Sequence, residues 1–170
     1  MAETPRKVVL AVDASSVSKD AVEWATKQLL RPGDQVHFLS VLEPLARSDY
    51  AGSSEGSVAI GEGSQCQPDP LALERTQKAI KSYTELVEAR GFKDVSATTI
   101  VSCIGGTVDI GRQIVDYTND KDSDILLMGS RGLGSLKRAV LGFIGLGSVS
   151  SYVVKHADCN VLVHKVPNLE

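Results

Sequence analysis

Gly129-Ser130-Arg131-Gly132, followed by Gly142, Gly145 and Gly147-Ser148, comes directly after the apolar run Asp124-Ile125-Leu126-Leu127-Met128. A strand that leaves a sheet and turns into a helix has this pattern. Glycines in such a turn let backbone N–H groups approach an anion closely, and a helix opening at Ser148 adds the positive end of its dipole. The chemistry to expect is phosphate binding, with plain turn residues after a strand as the rival reading. Two familiar phosphate motifs are excluded. A P-loop requires Gly-x4-Gly-Lys-Ser/Thr; Gly129 and Gly134 have the glycine spacing, but Ser135 stands where the lysine is needed. A dinucleotide fingerprint requires Gly-x-Gly-x-x-Gly after the first strand, and that turn is Asp13-Ala14-Ser15-Ser16.

The remaining reactive side chains do not assemble into a catalytic motif. No Gly-x-Ser-x-Gly elbow, His-Glu-x-x-His pair or glycosidase-like acid pair is present in a suitable context. His37, His156 and His164 share no metal-ligand spacing; they read as a strand residue, a cation in the last turn of a helix, and a second strand residue. Cys103 and Cys159 read as small buried hydrophobes near strand ends, which leaves Cys66 as the redox-sensitive thiol. Asp13 closes the first apolar run, where it can cap the following helix. Lys137-Arg138 reads as a solvated face.

Strands and helices alternate around these residues. Residues 7–13 form a short apolar run of the kind buried on both faces of a parallel sheet. Val17, Ala21, Trp24, Ala25 and Leu29 follow at helical spacing, with Asp20 assigned to the first turn and Arg31-Pro32-Gly33 as the stop. Residues 35–42 return to a strand closed by Glu43-Pro44. Residues 45 to about 68 carry no period and are rich in Ser, Gly, Ala and Glu, so they read as disordered or as a flexible lid. Asp69-Pro70 opens a helix and Gly91 ends it, with Leu73, Thr76, Ile80, Tyr83 and Val87 on one face and a Glu74–Lys78 pair on another. Strands follow at 94–101, 124–128 and 160–164. Helices are expected at 107–117, capped by Thr107, and at 148–156. This alternation predicts one doubly wound α/β domain over residues 1–170, a parallel sheet with helices on both faces, and a ligand beyond the carboxyl ends of the strands. Asp13, Val41 and Gly129 all stand at such ends.

Composition narrows the partners. The chain is 42% hydrophobic and 23% charged, with a net charge of −3. That is the profile of a soluble globule without the basic field that nucleic acid or an anionic membrane surface would require. No apolar signal core or membrane-length apolar stretch appears, and three scattered cysteines fit a reducing compartment, so a cytoplasmic location is expected.

From residue 7 to about 165 the chain resembles the universal stress protein family, in its nucleotide-binding branch. Three features carry the resemblance: the first strand ending Ala11-Val12-Asp13, the segment Leu126-Leu127-Met128-Gly129-Ser130-Arg131-Gly132, and Gly147-Ser148-Val149-Ser150 followed by the run from Val154 to Val163. The resemblance implies an adenine nucleotide alpha hydrolase-like fold with strand order 3-2-1-4-5. Nucleotide-binding members carry Gly-x2-Gly-x9-Gly-Ser/Thr. Gly129 and Gly132 match the first pair, and nine residues then lead to Gly142, but Phe143 follows it. The Gly-Ser pair occurs instead at Gly147-Ser148, fourteen residues after Gly132, as though residues 142–146 were inserted. The phosphate-binding role is therefore assigned to that pair, with 142–146 as a bulge.

Carried over by position, the resemblance places adenine near Ala11 and Val12 and against Val41. Asp13 receives the ribose hydroxyls or helps hold a divalent ion such as Mg²⁺. Met128, Gly129, Gly132 and Gly142 border ribose and phosphates, Gly147, Ser148, Val149 and Ser150 donate to phosphate oxygens, and Arg131 and Lys137 are candidates to add charge. The resulting expectation is a non-enzymatic stress-response module, similar to plant-type members, that binds ATP or AMP and forms a homodimer through the edge strand Asn160–His164. Two alternatives stay open: a slow ATP hydrolase using Asp13 to orient a metal, and a nucleotide-independent chaperone or interaction scaffold in which residues 142–146 have closed the pocket.

Overall fold

The computed structural model describes residues 4–45, 66–130 and 148–166. Five parallel strands, β1 (Lys7–Ala11), β2 (Gln35–Leu42), β3 (Val95–Val101), β4 (Ile125–Gly129) and β5 (Asn160–His164), form one sheet in the order β3-β2-β1-β4-β5. The connecting helices are α1 (Ser16–Gln28), α2 (Pro70–Glu88), α3 (Gly106–Asp120) and α4 (Ser148–His156). The doubly wound architecture and strand order are those expected from the sequence.

The apolar runs of β1 and β4 are buried on both faces because helices cover both. Leu10, Val36, Phe38 and Leu127 pack with Ala21, Val22 and Ala25 of α1 and with Tyr83 and Val87 of α2. Val9, Leu39, Leu126 and Met128 point the other way, onto Ile114 and Val115 of α3 and Val153 of α4. Truncating a fully buried member such as Phe38 to alanine would cost about 3–5 kcal/mol. The α3–α4 contact is close at Gly111, where a Cβ would lie 2.8 Å from Cδ1 of Tyr152.

Local signals set most element ends. Asp69 accepts from the Leu71 amide at 3.0 Å, Pro70 is the first residue of α2, and the chain leaves that helix through Gly91 at φ +93°. Other boundaries shift. β1 stops at Ala11, although the Val12 amide still donates to the Leu39 carbonyl at 2.8 Å. Ser15 is the N-cap of α1, so Asp20 lies beyond the first turn. Thr107 does not cap α3: Gly105 and Gly106, both at positive φ, turn the chain earlier. Ser102 takes over the polar work there, accepting from the Gly105 amide and donating to the buried Asp109 carboxylate. Among the described residues the ion pairs are Arg6–Asp34, Lys19–Glu23 and Lys27–Glu23; Glu74 and Lys78 do not pair.

The ends of the 45–68 stretch are held, while residues 46–65 lie outside the described residues. Pro44 bridges Pro68 in antiparallel sense, and the Leu45 amide donates to the Gln67 carbonyl at 2.9 Å. Cys66 and Cys103 are joined as a disulfide. This corrects the reading of Cys103 as a buried hydrophobe: it lies past the end of β3 in an exposed turn. Cys159 is partly buried against the α3–α4 side, and that burial pushes its thiol pKa up.

The amino edge of the sheet carries a dense polar lattice. Arg6 donates to both carboxylate oxygens of the buried Asp34 and to the Leu29 carbonyl. Lys7 donates through its amide to Asp124 and through its ammonium to the Lys121 carbonyl. Asn160 reaches the Asp124 carbonyl from β5.

His37 points to the α3 side, with Ser96 Oγ 2.6 Å from Nδ1, and Tyr117 OH and Thr98 Oγ1 at 2.5 and 3.1 Å from Nε2. Burial, with a smaller push from Lys121, lowers its pKa below the ordinary 6.5. A depressed histidine pKa means that the unfolded chain binds the extra proton first. Its stabilising contribution is therefore complete above pH 6.5 and is lost as pH falls toward the folded-state value. Thermal melts across pH 5 to 7.5 should show Tm falling on acidification, with a shallower slope in His37→Gln. At the α3–α4 contact, overpacking costs about 1–3 kcal/mol against a helix-propensity gain of about 1 kcal/mol. Gly111→Ala should therefore lower stability by about 1 kcal/mol in chemical denaturation.

Candidate functional site

Because all strands run the same way, their carboxyl ends line one edge. The connections from β1 through α1 to β2 and from β4 through α4 to β5 lead away from each other, so the order reverses between β1 and β4. In such sheets the reversal marks the crevice outside the strand ends where ligands normally sit. The register places specific residues there. Ala11 is level with Leu39 of β2 and Met128 of β4, so Asp13, two residues past the end of β1, lies at the same carboxyl edge as Val41 and Ser130. The Ser130 amide donates to the His164 carbonyl at 2.8 Å, which fixes the exit from β4.

Asp13 is the polar centre of this edge. Its Oδ1 accepts from the Ser15 amide at 3.0 Å, from the Ser18 hydroxyl at 2.7 Å and from the Ser15 hydroxyl. The Asp13 amide donates to Ser18 Oγ at 3.0 Å, and the Tyr83 hydroxyl donates to the Asp13 carbonyl at 3.0 Å. The carboxylate thus braces the Ser15 cap of α1, and two elements hold its backbone in place. Burial first, and the Asp13 charge second, raise the Tyr83 pKa to about 12, so it remains a phenol donor at any physiological pH. The cap is Ser15 and not Asp13 as the sequence suggested; Ser15 and Ser18 were missed, although their Asp-x-Ser-x-x-Ser spacing was a local signal. Tyr83, 70 residues away, has no local signal.

The structure brings together Ala11, Val12, Asp13, Val41, Met128 and Gly129 from three adjacent strand ends. Val12 and Met128 are buried, whereas Ala11, Asp13, Val41 and Gly129 are partly exposed. Ser148, Val149 and Ser150 form the first turn of α4, with Ser148 exposed and Ser150 buried. Since α4 leads from the carboxyl end of β4 to the amino end of β5, its N-terminus faces the crevice edge. Arg131, Gly132, Lys137, Gly142 and Gly147 lie outside the described residues. Among the described residues no three His, Cys, Asp or Glu side chains group to hold an ion, at Asp13 or elsewhere. Nor is any described helix long and apolar enough to cross a membrane.

This arrangement can accept hydroxyl donors at a fixed carboxylate, take a flat ring against strand-end backbone and apolar side chains, and place an anion near a helix N-terminus. The comparisons agree with the architecture. The profile described as "Universal stress protein family" matches residues 4–165. Universal stress protein PHOS34 of Arabidopsis thaliana is 31% identical over 171 residues, covering 96% of this chain but only 63% of that longer relative. Hypothetical protein MJ0577 superposes with a TM-score of 0.67 at 26% identity, over 98% of this chain and 99% of its own. A universal stress protein in complex with cAMP superposes with a TM-score of 0.56 at 18% identity, over 95% and 97% of the two chains. With the profile spanning nearly the whole sequence, the chain belongs to the universal stress protein family.

Proposed function

We propose that the crevice between β1 and β4 binds an adenine nucleotide, ATP or AMP, and that the protein acts as a stress-response binding module rather than as an enzyme. The observation that carries this reading is the Asp13 carboxylate, held just past the end of β1 by Ser15 and Ser18, at the carboxyl edge that also carries Val41 and the exit of β4. A carboxylate fixed in this way suits a ribose diol, an acceptor-only group meeting two hydroxyl donors. The neighbouring Val41 backbone suits the edge of a purine, and the N-terminal turn of α4 suits phosphate oxygens. The related fold in complex with cAMP supports the choice of ligand class. Any divalent ion would arrive with the nucleotide phosphates, since Asp13 offers one carboxylate and Mg²⁺ is commonly shared between one or two carboxylates and substrate phosphates.

Isothermal titration with ATP and with AMP, each with and without Mg²⁺, should give saturable heat. A millimolar excess of nucleotide should raise Tm by mass action. Loss of charge-assisted hydrogen bonds worth about 1.5–3 kcal/mol should make Asp13→Ala bind roughly ten- to a hundredfold more weakly. The ligand-free variant should also melt lower, because the α1 cap loses its brace. No heat and no thermal shift for the folded wild type would remove the reading. Sustained phosphate release that vanishes in Asp13→Ala would replace it with hydrolysis.

We also propose homodimerisation through β5. Among the described residues this strand pairs only with β4, on one side, and its outer edge would otherwise present unpaired backbone groups along Asn160–His164. Light scattering should give twice the monomer mass at micromolar concentration. A charged, turn-favouring Val161→Asp change should return the monomer, and a wild type that stays monomeric at high concentration would overturn the assignment.

A further inference from the structure

We propose that Cys66 and Cys103 are a reversible thiol–disulfide exchange site that clasps the carboxyl end of β2. The inference stands independently of nucleotide binding. The two cysteines come from segments that meet only in the fold: Cys66 lies just before the Asp69 cap of α2, and Cys103 lies just after β3 in the turn to α3. Their Cα atoms are 5.4 Å apart across a sequence separation of 37, within the range a disulfide spans without backbone movement.

The segments that carry them both contact the chain leaving β2. Pro44 bridges Pro68 on the Cys66 side, and its ring lies 3.6 Å from where a Cβ on Gly105 would stand, on the Cys103 side. The Leu45 amide donates to Gln67, and the Ser102 amide to Leu42 at 2.8 Å. When the bond is closed, the two segments that make these contacts with the end of β2 are also tied to each other covalently. When it is open, the same contacts must hold two chain segments by themselves.

Exposure sets the order of the chemistry. Cys103 is exposed and Cys66 is half-buried. The Cys103 thiolate attacks a small-molecule disulfide such as oxidised glutathione, forming a mixed disulfide and releasing one thiol. The Cys66 thiolate then attacks Cys103 Sγ, forming the protein disulfide and releasing the second thiol. Two protein thiols are oxidised, one external disulfide is reduced, and two protons are taken up by the leaving thiolates. The reverse reaction uses two external thiols.

Wild-type protein equilibrated in graded ratios of reduced to oxidised glutathione, then quenched with an alkylating agent and weighed intact, should pass from two additional alkylated thiols to none in one cooperative step. Closing the ring should raise Tm by roughly 5–15 °C relative to the same protein in dithiothreitol, and this difference should be absent in Cys66→Ser and Cys103→Ser. Hydrogen exchange at the Leu45, Ser102 and Gly105 amides should slow by about tenfold or more on oxidation, while the Leu10 and Leu127 amides in the central strands change far less. Independent alkylation of the two cysteines at every ratio would overturn the proposal. A bond that survives excess dithiothreitol in the folded protein, or equal Tm and equal exchange in both redox states, would also overturn it.

Discussion

The constraint on which this protein depends is the parallel ladder itself. Each strand enters at one edge of the sheet and leaves at the other, so every connection must cross the full width of a helix layer before the next strand can pair. Backbone groups within the ladder are satisfied by neighbouring strands. The strand exits just beyond it collect along a single edge, where loops and side chains take over part of that bonding. Asp13, Val41 and Ser130 are chemically unrelated residues brought to one edge because Ala11 pairs with Leu39 on one side and Met128 on the other. Recognition chemistry at this edge is therefore a product of register, and register is set by which apolar side chains fill the two cores.

Asp13 shows how the proposed ligand contact and the fold share one group. Its carboxylate supports the first turn of α1 through Ser15 and Ser18, and Tyr83 of α2 secures its carbonyl from across the helix layer. The side chain is thereby oriented before any ligand arrives, and a pre-oriented acceptor loses less entropy on binding than a mobile one. The same arrangement means that any change at this position alters two properties at once.

Much of the scaffold was legible because it is punctuated locally. Asp69-Pro70 and Gly91 bracket α2, the β2 run from Gln35 to Leu42 stands between Gly33 and Pro44, and the apolar runs of β1 and β4 have the unbroken character of strands covered on both faces. The carboxyl-edge residues Asp13, Val41 and Gly129 followed from those boundaries. What escaped depends on distance or on glycine. The start of α3 moved because two consecutive glycines adopt a left-handed backbone that Thr107 could not, a choice made by the tertiary turn around Ser102. Tyr83 meets Asp13 only after α2 docks. Cys66 and Cys103 looked unrelated in sequence because their approach is created by β2 lying between β1 and β3.

Arg6, Asp34, Lys7 and Asp124 tie the opposite edge with charge-assisted contacts. Mechanical integrity is thus concentrated about one sheet-length away from the residues proposed to meet a ligand. Such a division of labour lets an evolving lineage rewrite the recognition rim, by insertion or by exchange of side chains, while the anchored base continues to hold the chain together.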